Sequence, residues 1–184
     1  MKAKFESLGG KVRDKVRDAV VASQYILREA IQRLLSGEAL KNRTGNLERS
    51  ITVAPVEETA TTIIGAVGTN EIYARIQELG GTISAKNAAN LTIPLDAALT
   101  PSGVARFSAR EVIDNPSVAG MTGTFFAKSI LFGKNGSAIT PLFLLKPSVT
   151  LPARPYMSRA LEEQRGAIEQ RLSNALSQAM REAQ

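Results

Sequence analysis

Two long runs of helical periodicity stand near the two ends of this 184-residue chain, and they dictate what the middle can be. From Lys11 to Leu40 the apolar residues fall at Val12, Val16, Ala19, Val20, Ile26, Leu27, Ala30, Ile31, Leu34 and Leu35. Spacings of three and four place them in one stripe along several helical turns. Gly9-Gly10 precede the run, and Gly37 offers a break near its end. The second run, from Arg159 to Ala183, carries Leu161, Ile168, Leu172, Ala175, Leu176, Ala179 and Met180 on one face. Gly166 weakens it locally, by up to about 1 kcal/mol relative to alanine. A helix with one apolar stripe must bury that stripe, and packing on a sheet is the simpler reading than a free-standing coiled coil.

The centre between the helices reads as β. After the polar turn Arg43-Thr44-Gly45-Asn46-Leu47, residues Ser50–Ala54 alternate in polarity, and Thr61–Gly68 is rich in β-branched residues bounded by glycine. Pro55–Ala60 then serves as the hairpin connection. Ile72, Ile76 and Leu79 predict a short helix over residues 71–79, stopped by Gly80-Gly81. Leu91–Leu95 is a further strand, which Pro94 assigns to an edge or a strand end. Residues 96–123 form an irregular insertion, with turn signals at Pro101-Ser102-Gly103 and Asn115-Pro116 and a helical turn over Ser108–Val112. Thr124–Phe132 and Ala138–Leu145 flank Gly133-Lys134-Asn135-Gly136, an apolar hairpin with a glycine-rich tip in which Pro141 argues against a central position. Such a hairpin can lie in the core sheet or project as an arm to a neighbouring subunit. The expected fold is α+β, in one domain over residues 1–184. An antiparallel or mixed sheet (core 47–95, hairpin 124–150) is packed by helices over 11–40 and 158–183.

Chemistry is constrained by two absences. The chain has no cysteine and no histidine, which removes thiolate nucleophiles, a Ser-His-Asp triad, an ordinary zinc site and the usual proton carrier at neutral pH. Glu57, Glu58 and Glu78 are the central carboxylates considered for acid–base work, and nothing in their spacing sets any of them against a second carboxylate. Gly133–Ser137 lacks the residue order and the following helix of a phosphate-binding loop. The expectation is a non-enzyme with no catalytic residue, no cofactor and no metal. A net charge of +6 permits contact with nucleic acid or an acidic protein surface, although most basic residues are interleaved with acids. No apolar run reaches membrane-spanning length and the N-terminus lacks a signal core, so synthesis in the cytoplasm and no membrane contact are expected.

Leu151-Pro152-Ala153-Arg154-Pro155-Tyr156-Met157 hands the chain into the terminal helix. Two prolines make that entry stiff, so Arg154 and Tyr156 are held in fixed directions. The guanidinium suits a carboxylate, either within the subunit, with Glu78 as the candidate, or across an interface.

The ordered set Arg43-Thr44-Gly45-Asn46-Leu47 with Ser50-Ile51, Gly68-Thr69-Asn70 with Tyr73-Ala74, Glu78 and Gly80-Gly81-Thr82-Ile83, Leu91–Leu95, and Pro152–Tyr156 resembles a bacteriophage family. It is the virion-morphogenesis or tail-completion family of long-tailed phages, with the Mu-like morphogenesis protein and related head–tail joining components. The resemblance covers residues 43–176. It implies a structural virion protein of the neck or tail end, a homo-oligomeric ring, commonly a hexamer, that completes the tail and joins it to the DNA-filled head. Its partners would be other neck and tail proteins, with non-specific contact to DNA in the lumen. Interface candidates are Tyr73, Glu78, Gly80, Gly81, Phe125, Phe126, Phe143, Arg154 and Tyr156; lumen candidates are Lys11, Arg13, Lys15 and Arg17. A tail terminator capping the tube and a small basic DNA-binding protein are the alternative readings.

Overall fold

A computed structural model describes residues 2–40, 42–59 and 61–182, with side chains from residue 9 onward. Along the chain run α1 (Lys2–Arg33), α2 (Asn46–Arg49), β1 (Thr52–Val53), β2 (Glu57–Glu58), β3 (Ile63–Ile64), β4 (Val67–Gly68) and α3 (Ala74–Leu79). They are followed by β5 (Gly81–Ser84), β6 (Leu91–Pro94), α4 (Ala109–Asp114), β7 (Gly123–Ala127), β8 (Ile130–Asn135), β9 (Ala138–Lys146), β10 (Ser148–Leu151) and α5 (Met157–Glu182). The fold is α+β and every strand pair is antiparallel. Two compact units emerge: the first is Met1–Leu79 with Arg154–Gln184, the second Gly80–Ala153. The first unit is therefore discontinuous in sequence.

In the first unit α1 packs along α5. Its stripe delivers Ala30, Ile31, Leu34 and Leu35 to a core shared with Ile51, Tyr156 and Ala160. On α5 the buried positions are Ala160 and Ala179, so the helices meet over small side chains, while Leu161, Leu176 and Met180 of the expected apolar face stay exposed. Gly9 and Gly10 do not precede α1 but lie inside it, because a glycine without competing turn signals lowers helix stability without ending the helix. The helix stops in a π-helical turn, Leu34–Glu38, where Gly37 takes φ 143°. Ala183, assigned above to the terminal helix, and Ala60, assigned to the hairpin connection, lie outside the described residues.

Strands β1 to β4 are one interrupted hairpin: Thr52 faces Gly68 and Val53 faces Val67, then Glu57 faces Ile64 and Glu58 faces Ile63. The interruption is closed from α1. The Gln24 carboxamide donates to both the Ala54 and Ala66 carbonyls, each at 3.0 Å. Arg28 Nε donates to the Ile51 carbonyl at 3.2 Å, and Gln32 Nε2 donates to the Glu48 carbonyl at 3.1 Å. One face of α1, read at every fourth residue, thus supplies side-chain donors to carbonyls at and before the interrupted hairpin, of which Ala66 and Glu48 also accept from backbone. Gly65 permits the approach, since a Cβ there would come within 2.7 Å of Val20 Cγ1.

The second unit holds a four-stranded sheet in the order β6-β9-β8-β7 and a separate β5-β10 ribbon. Its core is Ala98, Ala109, Val112, Leu131, Leu142 and Phe143, so α4 and the turn Asp96–Ala98 cover one face of the sheet. Ser108 opens α4 with a capping box: its hydroxyl accepts from Glu111 N and the Glu111 carboxylate accepts from Ser108 N. Three strand expectations are corrected. The stretch Thr124–Phe132 is not one strand; it reverses at Lys128 (φ 54°), giving β7 and the start of β8. The hairpin tip is Gly136-Ser137, with Gly136 at φ 60°, while Gly133 sits mid-strand because a Cβ would meet Met121 Cγ at 2.7 Å. Pro141 also lies in a central strand, β9. It is tolerated at the bulge where Phe132 faces Pro141 and Leu131 faces Phe143, beyond the last residue that pairs with β6. Pro94, by contrast, ends edge strand β6.

Strand alternation sorts the side chains of this sheet. Leu131, Phe143 and Leu145 point to the covered face. On the other face, Ile93 lines up with Leu144, Ile130 and Ala127, and Pro141 lines up with Phe132 and Phe125. Ile139 stands beside Lys134 in the next row.

Candidate functional site

The elbow, α3 and the start of α5 form a densely bonded site in the first unit. Arg154 N donates to the Gln77 carbonyl at 2.8 Å, which seats the elbow against α3. One residue on, Glu78 projects from α3 to the N-terminus of α5. Its Oε2 accepts from Tyr156 N at 2.7 Å and Met157 N at 2.9 Å, and its Oε1 accepts from Ser158 N at 3.0 Å and Ser158 Oγ at 2.6 Å. Those backbone N–H groups are the ones a helix start leaves without partners, and a carboxylate there also meets the positive end of the helix dipole. Burial acts to raise the Glu78 pKa. The hydrogen bonds from Ser158, Met157 and Tyr156 outweigh it and hold the carboxyl below its ordinary value.

Glu78 is thus the lock between the short helix and the terminal helix, bonded to backbone donors and Ser158, so of the two readings of Arg154 the pairing with Glu78 within the subunit is not the one formed. The Arg154 side chain is exposed and makes no hydrogen bond or ion pair among the described residues. Tyr156 is corrected from a boundary residue to a core residue: it is fully buried, and its hydroxyl donates to the Ala74 carbonyl at 3.3 Å. Burial first, then the nearby Glu78 and Tyr73, push its phenol up to about 12.

Around this lock the surface is apolar. Ile72 is 97% exposed, Leu79 64% and Tyr73 41%. Burial, then the Glu71 carboxylate, raises the Tyr73 pKa. Gly80 and Gly81 open the second unit at φ 69° and 141°. A Cβ on Gly80 would lie 2.6 Å from Ala153 N and 2.9 Å from the Leu151 carbonyl, so the glycine serves a close backbone approach. Of the three phenylalanines expected at an interface, Phe125 and Phe126 are exposed on edge strand β7, and Phe125 stacks on Phe132 at 5.3 Å. Phe143 is corrected to a core position, buried and edge-on to Phe107 at 6.2 Å.

Three of the four lumen candidates on α1 are engaged in ion pairs. Arg13 pairs with Glu58 at 3.0 Å and also donates to the Thr59 carbonyl, Lys15 pairs with Glu182 at 3.2 Å, and Arg17 pairs with Asp14 at 3.2 Å and with Glu58 at 3.6 Å. Lys11 adds to the field that lowers the Glu182 pKa, after the hydrogen bonds from Gln178 and Lys15. Among the described residues no group of His, Cys, Asp or Glu is placed to hold a metal ion, and no helix is long and apolar enough to cross a membrane. Sequence reasoning missed Gln24, Arg28 and Gln32, whose four-residue spacing on α1 was the available signal.

No curated protein and no solved structure matches the chain. Residues 1–80 match the family model described as "Bacteriophage HK97-gp10, putative tail-component". The matched stretch ends one residue past Leu79, where the first segment of the first unit ends. Over these residues the chain is similar to a family of phage tail components.

Proposed function

We propose that this protein is a structural component of the phage neck or tail end that assembles as a homo-oligomeric ring, completing the tail and joining it to the DNA-filled head. The observation that carries this reading is the tail-component match over residues 1–80, the stretch that builds most of the first unit. The exposed Leu79, on the helix that the Glu78 lock holds in place, and Ile72 and Tyr73, in the turn that leads into it, support it. Rigid, partly apolar surface beside an uncommitted arginine is what a protein–protein contact uses. The ion pairs of Arg13, Lys15 and Arg17 favour this structural reading over an independent DNA-binding one, since each cation already has a carboxylate partner. The finer role is a joining ring whose lumen passes DNA.

Negative-stain images of particles made without the protein test the proposal. Full heads beside separate tails of normal length are the expected result. Overlong tails would assign it instead to termination of the tube, and intact particles would remove the reading altogether. Native mass spectrometry of the assembled protein gives the copy number, expected to be six by the resemblance noted above.

A further inference from the structure

An antiparallel sheet with one solvated face normally alternates apolar and polar residues, whereas strands covered on both sides read as continuous apolar runs. Strand β9 reads Ala-Ile-Thr-Pro-Leu-Phe-Leu-Leu-Lys, a run of the second kind. Yet only one face of its sheet is covered by α4 and the Asp96–Ala98 turn. The other presents Phe125, Phe132, Pro141 and Ile139, with Ile139 57% exposed. Its charged residues are Lys134, beside Ile139, and Lys146, opposite Leu91; no carboxylate stands on it. The three carboxylates of the second unit, Asp96, Glu111 and Asp114, are exposed on the opposite, helical layer; Glu111 also caps α4 and Asp114 pairs with Arg110 at 3.6 Å, which leaves Asp96 as the one without a partner among the described residues. That layer carries its own apolar pair, Ile113 and Val118, 43% and 50% exposed, beside Arg106 and Arg110.

We propose that the lysine-bearing sheet face around Phe125, Phe132 and Ile139 docks on the carboxylate-bearing α4 layer around Ile113 and Val118 of a second copy of this chain. The occupant follows from charge. Two sheet faces meeting about a two-fold axis would bring four lysines and no carboxylate to a partly dry contact, which is repulsive. The helical layer offers an apolar centre and carboxylates to the same lysines. Because the two surfaces lie on opposite layers of one unit, each copy uses both, and the contact is head-to-tail. Head-to-tail contacts close into rings or run on as filaments. The proposal deepens the ring reading and rests on it for its biological setting. Nucleic acid is the less favoured occupant, since the lysines sit at the margin of an apolar surface instead of forming a phosphate-tracking groove.

The test uses two full-length variants, Ile139→Lys on the sheet face and Ile113→Lys on the helical layer. Both side chains are exposed, so circular dichroism melts should match wild type. Each variant alone should self-associate at least ~30-fold more weakly in sedimentation or native mass spectrometry, the effect of losing one central contact. Mixed together, they should give a 1:1 pair that grows no further, since only one intact sheet face and one intact helical layer remain to meet. Variants that assemble like wild type, or a mixture that stays monomeric, would overturn the contact. So would Lys134→Ala or Lys146→Ala abolishing binding to a double-stranded oligonucleotide while leaving self-association unchanged. Rings that ignore both substitutions would leave the ring reading standing without this contact. Head-to-tail pairing with complete particles carrying Ile139→Lys would do the reverse.

Discussion

Glu78 does for α5 what a local capping residue normally does, but from 78 positions upstream of Tyr156. Its removal strands several donors at once. Glu78→Gln keeps the shape and replaces the charged acceptor, so it should lower the stability of the first unit by about 1–2 kcal/mol at neutral pH, the range for a lost helix cap. Urea unfolding followed by circular dichroism checks it. The pH dependence has a definite sign. Because the folded-state pKa of Glu78 is depressed, its stabilisation is present above the unfolded value near ~4.3 and is lost as pH falls through the folded value. Wild type should therefore lose stability on acidification below about pH 4, with the gap to Glu78→Gln narrowing there; a gap that is constant with pH would remove the carboxylate from the account. Arg154 behaves differently, its side chain having no partner within the chain among the described residues. Arg154→Ala should leave the melting curve unchanged and weaken docking to neck or tail partners by about 1–2 kcal/mol if the guanidinium meets a carboxylate there. Complementation of particles lacking the protein reads that difference.

At the scale of elements, the two long helices show which sequence signals hold. Periods of three and four over many turns located α1 and α5, because a stripe repeated that often has few other solutions. Gly9 and Gly10 were read too strongly, as lying before the helix, whereas Gly37 breaks α1 and Gly166 sits within α5 as expected. Gly9, Gly10 and Gly166 lie inside helices, and a Cβ at any of them would meet nothing within 4 Å. Substituting each by alanine should raise stability by up to about 1 kcal/mol, read as an upward shift of the melting midpoint. The short helix over Ala74–Leu79 and the edge position of Pro94 were also legible, since a helix stop and a missing donor act locally. The reversal at Lys128 was not, because a lysine in left-handed conformation carries none of the usual turn signals. Nor could Tyr156 be assigned to the core: its burial depends on Ala74 and Glu78, far away in sequence. The ladder from Gln24, Arg28 and Gln32 was written in the sequence at a helical period. It reads as an ordinary polar face until the interrupted hairpin beneath it is known.

For the whole molecule, the tail-component match and the compact units draw the same line. The matched residues stop at the end of the first segment of the first unit, and the second unit occupies the chain between that segment and α5. The hydrogen bond from Arg154 N to the Gln77 carbonyl holds the two ends of that excursion together. Replacing residues 80–153 by a short Gly-Ser linker should therefore leave a folded helical unit, with a cooperative melt and strong helical dichroism. Loss of cooperativity would mean that the first unit depends on the excursion for its fold. Positive charge is also handled in two ways: Arg13, Lys15, Arg17 and Arg33 of α1 are paired with carboxylates, while Lys134 and Lys146 stand on a sheet face with none.

The discontinuity of the first unit also sets a schedule. Ile31, Leu34 and Leu35 are synthesised early, yet Tyr156 and Ala160, which complete their core, come only after the whole second unit. At ~5–20 residues per second, the apolar side of α1 waits several seconds on the ribosome without its partner helix. During that interval the second unit, contiguous in sequence, can finish folding first. The later-made helix is then the one that closes the core begun by α1.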